Sequence, residues 1–223
     1  TGTSTQRPSN YNAPSAVARS AVLYVFRCLI DDNIPLNDGC LKPIEIIIPE
    51  GSMLAPKYPA AVVAGNVETS QAVTDTLFGA LGVIAASQGT MNNVTFGNDR
   101  HQDYETVCGG SGAGSDFDGT SAVHTHMTNT LNTPVEALEY AYPIRVRRYA
   151  VRRGSGGTGL YTGGDGIVRE IEFLNEARVT ILSDRRKIPP YGLEGGGPGK
   201  TGINLLVCAG EEQVLPGKTS VDV

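Results

Sequence analysis

The chain has 223 residues, 40% of them hydrophobic and 18% charged, enough to bury a core in one large domain or two small ones, which excludes a disordered tail. Its 23 acidic against 18 basic residues leave a formal charge of -5, with no stripe that is basic throughout, and this argues against nucleic acid as a partner. No apolar run approaches the roughly 20 residues that span a bilayer, and the opening Thr1-Gly2-Thr3-Ser4 has no charged region followed by an apolar one, so no membrane partner is expected.

Cys28, Cys40, Cys108 and Cys208 are widely spaced, with no Cys-x-x-Cys pair. The expectation is reduced thiols in a cytoplasmic protein, with a Cys28 to Cys40 disulfide as the alternative. The chain begins without Met and stops at Ser220-Val221-Asp222-Val223, which reads as a strand in progress; both ends are expected to be cuts within a longer protein. Most of the 28 glycines follow Cys108. They suggest a helix-containing portion over 1–108 and a glycine-punctuated, sheet-rich portion over 109–223, as two domains or one continuous one, and an α+β fold class.

In chain order, Asn12 is a plausible helix cap and Pro14 suits the first turn. Ala16, Val17, Ala21, Leu23, Val25, Phe26, Leu29 and Ile30 then give an apolar face broad enough to predict a largely buried helix. The β-branched run Ile44 to Ile48, bounded by Pro43 and Pro49, predicts a strand. After Gly65-Asn66, the recurrence of Val67, Val73, Leu77, Phe78, Leu81 and Ile84 predicts a second buried helix, capped by Asn66 or Thr69. Tyr104 and Glu105 read as a short strand. Pro143 to Arg153 and Gly166 to Phe173 alternate in side-chain character and predict two long antiparallel strands, joined through the glycines of 154–166. Arg178 to Ser183 and Ile203 to Val207 predict two further strands.

Several stretches, taken in order, resemble the hydantoinase B/oxoprolinase family over nearly the whole chain. They are Asn12 to Val17, Ile34 to Cys40, Gly65-Asn66-Val67-Glu68-Thr69-Ser70-Gln71, Ala86 to Asn93, Tyr104 to Gly110, His124 to Thr130, Arg153 to Gly157, Gly163 to Gly166, and Arg169-Glu170. The resemblance implies the C-terminal portion of a B-type part, as in 5-oxoprolinase or the B-type subunit of N-methylhydantoinase. In that scheme an A-type part binds ATP and phosphorylates the cyclic amide oxygen, and the B-type part hydrolyses the activated ring. A divalent metal is implied too, with its ligands in the N-terminal half of the B part, for which this chain has no matching positions; the ligands here are unknown. The implied partners are an A-type subunit or domain, a small cyclic amide, and further copies or subunits in an oligomer. A ketone carboxylase subunit and a non-catalytic assembly scaffold are the alternative readings.

Three candidate catalytic residues stand out. His124 and His126 are two apart, so on a strand both rings would face one side, and a polar structural role is the other reading. Glu105 would be a general base if buried, and an ordinary strand carboxylate if exposed. The candidate substrate-binding residues are Asn66, Glu68, Thr69, Ser70 and Gln71, at a helix start whose free N-H groups favour a carboxylate, with simple capping as the alternative. Asn92 joins them, because an amide can read a ring amide or lock a turn. Gly154 to Gly159 has the glycines of a phosphate loop but lacks the Lys-Ser/Thr ending and a following helix pattern. Asp165 is expected in a turn, and Arg169 with Glu170 in a strand-edge ion pair.

Overall fold

The computed structural model describes residues 3–223; the Thr1-Gly2 part of the N-terminal reading lies outside the described residues. The chain forms two compact units: one comprises residues up to Gly82 together with His126–Thr128, and the other comprises Val83–Thr125 and Asn129–Val223. The rise in glycine content at Cys108 falls inside the second unit.

The first unit is built on two helices, α1 (Ser15–Leu29) and α2 (Thr69–Leu81). In α1 the fully buried positions are Ala18, Ala21 and Val25, the i, i+3, i+7 spacing of one helix face. The edge-on contact between Tyr24 of α1 and Phe78 of α2, with ring centroids 6.4 Å apart, ties the two helices together. Burial in α1 is thus confined to a narrow face, and Leu29 and Ile30 remain largely exposed. Pro14, not Asn12, sits at the N-cap. Asn12 is fully buried instead, and its side-chain amide donates to the carbonyls of Arg7, Ser9 and Ala61. It ties the stretch 7–9 to Ala61 rather than capping a helix.

The Ile44 to Ile48 run forms no strand and pairs with none among the described residues. Pro43 and Pro49 bracket it without N-H groups to donate, and Ile47 is 80% exposed; β-branched content alone did not supply a neighbour. Ahead of α2 lies a short 3-10 turn, Val63–Gly65. A Cβ on Gly65 would sit 2.3 Å from the Asn12 carbonyl oxygen and 2.6 Å from the Ala13 Cα, so only glycine allows this approach. Gly82 ends α2 in the left-handed conformation at φ 69°, as helix C-termini often do.

The second unit is antiparallel sheet with one short helix. β1 (Asn93–Gly97), β2 (Gln102–Thr106), β5 (Arg178–Leu182) and β8 (Lys218–Asp222) form a four-stranded sheet in the order β2-β1-β5-β8. β3 (Ile144–Val151) pairs with β4 (Ile167–Phe173), and β6 (Asn204–Cys208) with β7 (Glu211–Leu215). The α+β class and the predicted pairing of the two long strands hold. β1, β7 and the seven-residue α3 (Val135–Ala141) were not read from the sequence. The core of this unit is Phe96 of β1, Leu138 of α3, Ile144 of β3 and Val179 of β5, with Phe173 and Tyr142 edge-on to Phe96.

Asp165 caps the glycine-rich connection between β3 and β4. Its carboxylate accepts the backbone N-H groups of Gly154, Ser155 and Gly156 at 3.1, 2.7 and 2.8 Å. The nest of N-H groups that a phosphate would want is therefore filled by a carboxylate of the chain itself, and no helix follows it.

Candidate functional site

In α2 the apolar residues located the helix, but its buried face is polar. Thr69, Ser70, Gln71, Thr74 and Asp75 are buried together with Phe78, and Glu68 is buried just before them, while Leu81 is exposed. Gln71, Asp75 and Phe78 lie at i, i+4 and i+7, hence on one face. The helix has no side-chain cap. The hydroxyl of Thr69 donates to the Tyr11 carbonyl at 2.5 Å, and that of Ser70 to the Asn66 carbonyl at 2.6 Å. Neither Asn66 nor Thr69 caps α2: Asn66 is exposed and offers its carbonyl, and the Thr69 hydroxyl is engaged elsewhere.

The segment His126–Thr128 packs on this face. The Gln71 side-chain amide donates to the Thr128 hydroxyl at 2.5 Å. His126 Nε2 lies 3.4 Å from Asp75 Oδ1, with side chains 8% and 2% exposed, and Nδ1 lies 3.4 Å from the Tyr24 hydroxyl. The imidazole is also flanked by the rings of Phe78 at 5.3 Å and Tyr24 at 5.7 Å. Burial, and after it the neighbouring Cys28 thiol, push the Tyr24 phenol up to about 12.

His124 and His126 do not share a strand face. Ala122 and His126 both have positive φ, 55° and 54°, which turns the segment, and each ring engages its own unit. His124 Nε2 lies 3.2 Å from the Thr106 hydroxyl, which also lies 2.5 Å from that of Thr130. Burial holds the His124 imidazole below its ordinary range.

Glu105 is buried in β2, and its partner is Arg169 of β4. Arg169 Nε and Nη2 donate to the two carboxylate oxygens at 2.9 Å each, and the side chains are 4% and 2% exposed. This is a fork-on-fork ion pair in the interior, and it replaces the strand-edge pair expected between Arg169 and Glu170. The guanidinium also lies over the Tyr149 ring at 4.7 Å. Burial pushes the nearby Cys108 thiol up, partly offset by a backbone hydrogen bond and by Arg169. Asn92, at φ 50°, donates to the Val107 carbonyl and accepts from Arg186 Nη1, so its amide locks a turn. All four cysteines are free thiols, and the alternative Cys28 to Cys40 disulfide is not formed.

The model of the family described as "Hydantoinase B/oxoprolinase" matches residues 1–223. The chain belongs to this family. It is 52% identical to "5-oxoprolinase 1" of Arabidopsis thaliana, covering 100% of this chain and 18% of that protein. The hydantoinase B chain described here therefore spans under a fifth of its plant relative. Among solved structures it is similar to the ATP-dependent caprolactamase of Pseudomonas jessenii, with a TM-score of 0.79 and 22% identity over 98% of this chain and 42% of that one. Acetone carboxylase in its nucleotide-free structure gives a TM-score of 0.76 and 20% identity over 91% of this chain and 29% of that one. At these identities the two structures establish a shared fold. Among the described residues no three His, Cys, Asp or Glu side chains assemble as metal ligands, and no helix is long and apolar enough to cross a membrane.

Asp75 and Tyr24 were missed in the sequence. The signal that would have found Asp75 is its spacing of four from Gln71 and three from Phe78 on a helix already located.

Proposed function

We propose that this chain is the hydrolytic, B-type part of an ATP-dependent cyclic amide hydrolase that opens 5-oxoproline or a hydantoin ring. The observation that carries the reading is the buried polar face of α2 around His126. A helix interior to a folded unit normally buries apolar side chains. Replacing them with Glu68, Thr69, Ser70, Gln71, Thr74 and Asp75 costs stability unless each group is satisfied, and such placements concentrate where chemistry is done. The 52% identity to a plant 5-oxoprolinase across the full chain supports this class of reaction.

In this reading Glu68, Ser70 and Gln71 with the neighbouring Asn66 and Thr69 hold the ring and its carboxylate, and His126 serves the proton transfers of ring opening. Phosphoryl transfer from ATP belongs to an A-type subunit or domain. Two donors, Asp75 and His126, do not make a metal site, so no step of this chain is routed through a metal; the expected divalent ion falls to other residues of the longer B part. In the other unit, both Glu105 oxygens are held by Arg169, and its role is to fix that arginine rather than to abstract a proton. His124 and Asn92 support the same unit. A cytoplasmic oligomer with the A-type part, inactive as this portion alone, completes the proposal.

The test is ATP turnover by the full-length protein with its A-type part against 5-oxoproline, hydantoins, a lactam, and acetone with bicarbonate. ATP hydrolysis that depends on 5-oxoproline or a hydantoin, with the opened amino acid as product, is the expected result. Turnover with the ketone and bicarbonate alone would sink the hydrolase reading.

A further inference from the structure

We propose that Asp75, His126 and Tyr24 form a proton relay whose outer end, the Tyr24 hydroxyl, takes the proton of the attacking water and returns it to the ring nitrogen. This rests on the hydrolase reading above and adds two residues, Tyr24 and Asp75, to it.

The geometry fixes the direction of the relay. The carboxyl oxygen nearest His126 Nε2 is Asp75 Oδ1 at 3.4 Å, too loose to count as a formed hydrogen bond, and a carboxylate oxygen there would favour the tautomer with the proton on Nε2. Nδ1 is then bare and turned towards the Tyr24 hydroxyl at 3.4 Å, which donates to it. The imidazole is buried, with Nε2 making no formed hydrogen bond and Nδ1 facing the Tyr24 hydroxyl, so the group at the outer end of the line is Tyr24, a residue that is only half-buried. These distances are long for formed hydrogen bonds and short enough to close when a substrate engages Tyr24, as catalytic contacts commonly do.

Two further observations set the histidine apart from a core residue that merely fills space. Its φ of 54° is a left-handed conformation that is unfavourable for a non-glycine residue and persists only where the surroundings over-determine it. The surroundings do so: Phe78 and Tyr24 clamp the ring, and Gln71 anchors Thr128 two residues on. The relay also makes chemical use of the phenol that burial and the Cys28 thiol hold neutral, with a pKa of about 12. Tyr24 cannot act as a free phenolate at neutral pH, so it must lose its own proton to His126 as it gains one from water.

The step balances. The water O–H bond breaks and its oxygen bonds to the activated ring carbon. Its proton goes to Tyr24 Oη, the Tyr24 proton goes to His126 Nδ1, and the imidazolium is met by Asp75. As the oxygen bonds, the C=N π pair of the phosphorylated ring moves onto nitrogen, and running the relay backwards delivers the proton there. The tetrahedral carbon then expels the ring amine as its C–N bond breaks and its new hydroxyl gives its proton to that nitrogen by the same route, leaving an acyl phosphate that a second water hydrolyses to carboxylate and inorganic phosphate.

The experiment compares Tyr24→Phe, His126→Gln and the double variant in the full-length protein with its A-type part, with melting temperatures as the control for folding. Tyr24→Phe removes one oxygen and is expected to lower kcat about 100-fold with little change in KM, in the range of a lost acid-base contribution. The double variant is expected to be no slower than the worse single one, because groups acting in series are not additive. A kcat for Tyr24→Phe within about threefold of the parent, or effects that multiply, overturns the relay. A second readout needs no turnover. In protein labelled with 15N-histidine, the His126 signal, assigned by its loss in His126→Gln, should report the Nε2-H tautomer and shift at Nδ1 in Tyr24→Phe. A protein with no ring-dependent turnover that shows this shift loses the hydrolase reading and keeps the relay; an unshifted signal ends the relay whatever the turnover.

Discussion

In the unit built on α1 and α2, the buried helix face carries Thr69, Ser70, Gln71, Thr74 and Asp75, while in the sheet unit the core cluster is Phe96, Leu138, Ile144 and Val179. The sheet unit buries charge as well, but as a closed pair: Glu105 and Arg169 meet through two hydrogen bonds of 2.9 Å. The α2 face instead carries hydroxyls, an amide and the Asp75 carboxyl, which meets His126 only at 3.4 Å. A closed pair is suited to fastening one sheet to another, here β2 to β4. An open chain of donors and acceptors is suited to exchanging protons and partners. Under the proposed function, the difference separates burial that serves the fold from burial that serves chemistry, and it can be tested from either side.

The largest effect is expected at the closed pair. Glu105→Gln leaves the Arg169 guanidinium in the interior opposite a neutral amide, and losing one partner of a buried pair costs about 3–5 kcal/mol. Urea denaturation should show that loss. Glu105→Leu combined with Arg169→Met should recover most of it, since an apolar pair of similar volume leaves nothing charged and unmet. A Glu105→Gln protein as stable as the parent would show that the pair does not hold the β2 and β4 strands, and the contrast between the units would fail.

On the α2 face the expected effect is smaller in stability. Thr128→Val removes the hydroxyl that accepts from the Gln71 amide at 2.5 Å while keeping the shape of the side chain. The amide is left with a lost bond in a buried setting, worth about 1–3 kcal/mol. Adding Gln71→Leu to it should restore part of the melting temperature, and on the proposed reading, in which this face binds the ring, should leave ring-dependent ATP turnover low. If the double variant is both stable and active, Gln71 serves packing alone.

How far the sequence carried these two regions differs for physical reasons. Periodicity located α2, and alternation located β3 and β4, because side-chain pattern follows the helical and strand repeats directly. It did not reveal which face of α2 is buried: Val73, Leu77 and Leu81 mark an apolar stripe, yet burial was decided by what α1 and His126–Thr128 bring to the other side. β1 was missed because Asn93-Val94-Thr95-Phe96-Gly97 is short and opens on an asparagine, and β7 because Glu211-Glu212-Gln213 reads as solvated. The strand spacing expected for His124 and His126, which would set both rings on one face, fails at the positive φ of Ala122 and His126. No glycine there announces it. Glu105 and Arg169 lie 64 residues apart in sequence, on strands of two different sheets, and only tertiary packing joins them.

The smallest expected effect lies in the glycine-rich connection, and it shows as pH dependence. Three backbone N-H groups, foremost that of Gly156, hold the Asp165 carboxylate below its ordinary value of 3.8. A depressed value in the folded state means that the carboxylate contributes stability above the unfolded value and loses it as pH falls through the folded one. The contribution is therefore fully present at neutral pH and disappears below about pH 4. Because Asp165 is well hydrated, the effect on melting temperature should be modest. Asp165→Asn should lower the melting temperature slightly at pH 7 and converge with the parent towards pH 3. Parallel curves for the two proteins across that range would mean that the nest is held by its glycine backbone packing, with Gly156 and Gly164 each meeting backbone where a Cβ would stand, and that the carboxylate only occupies it.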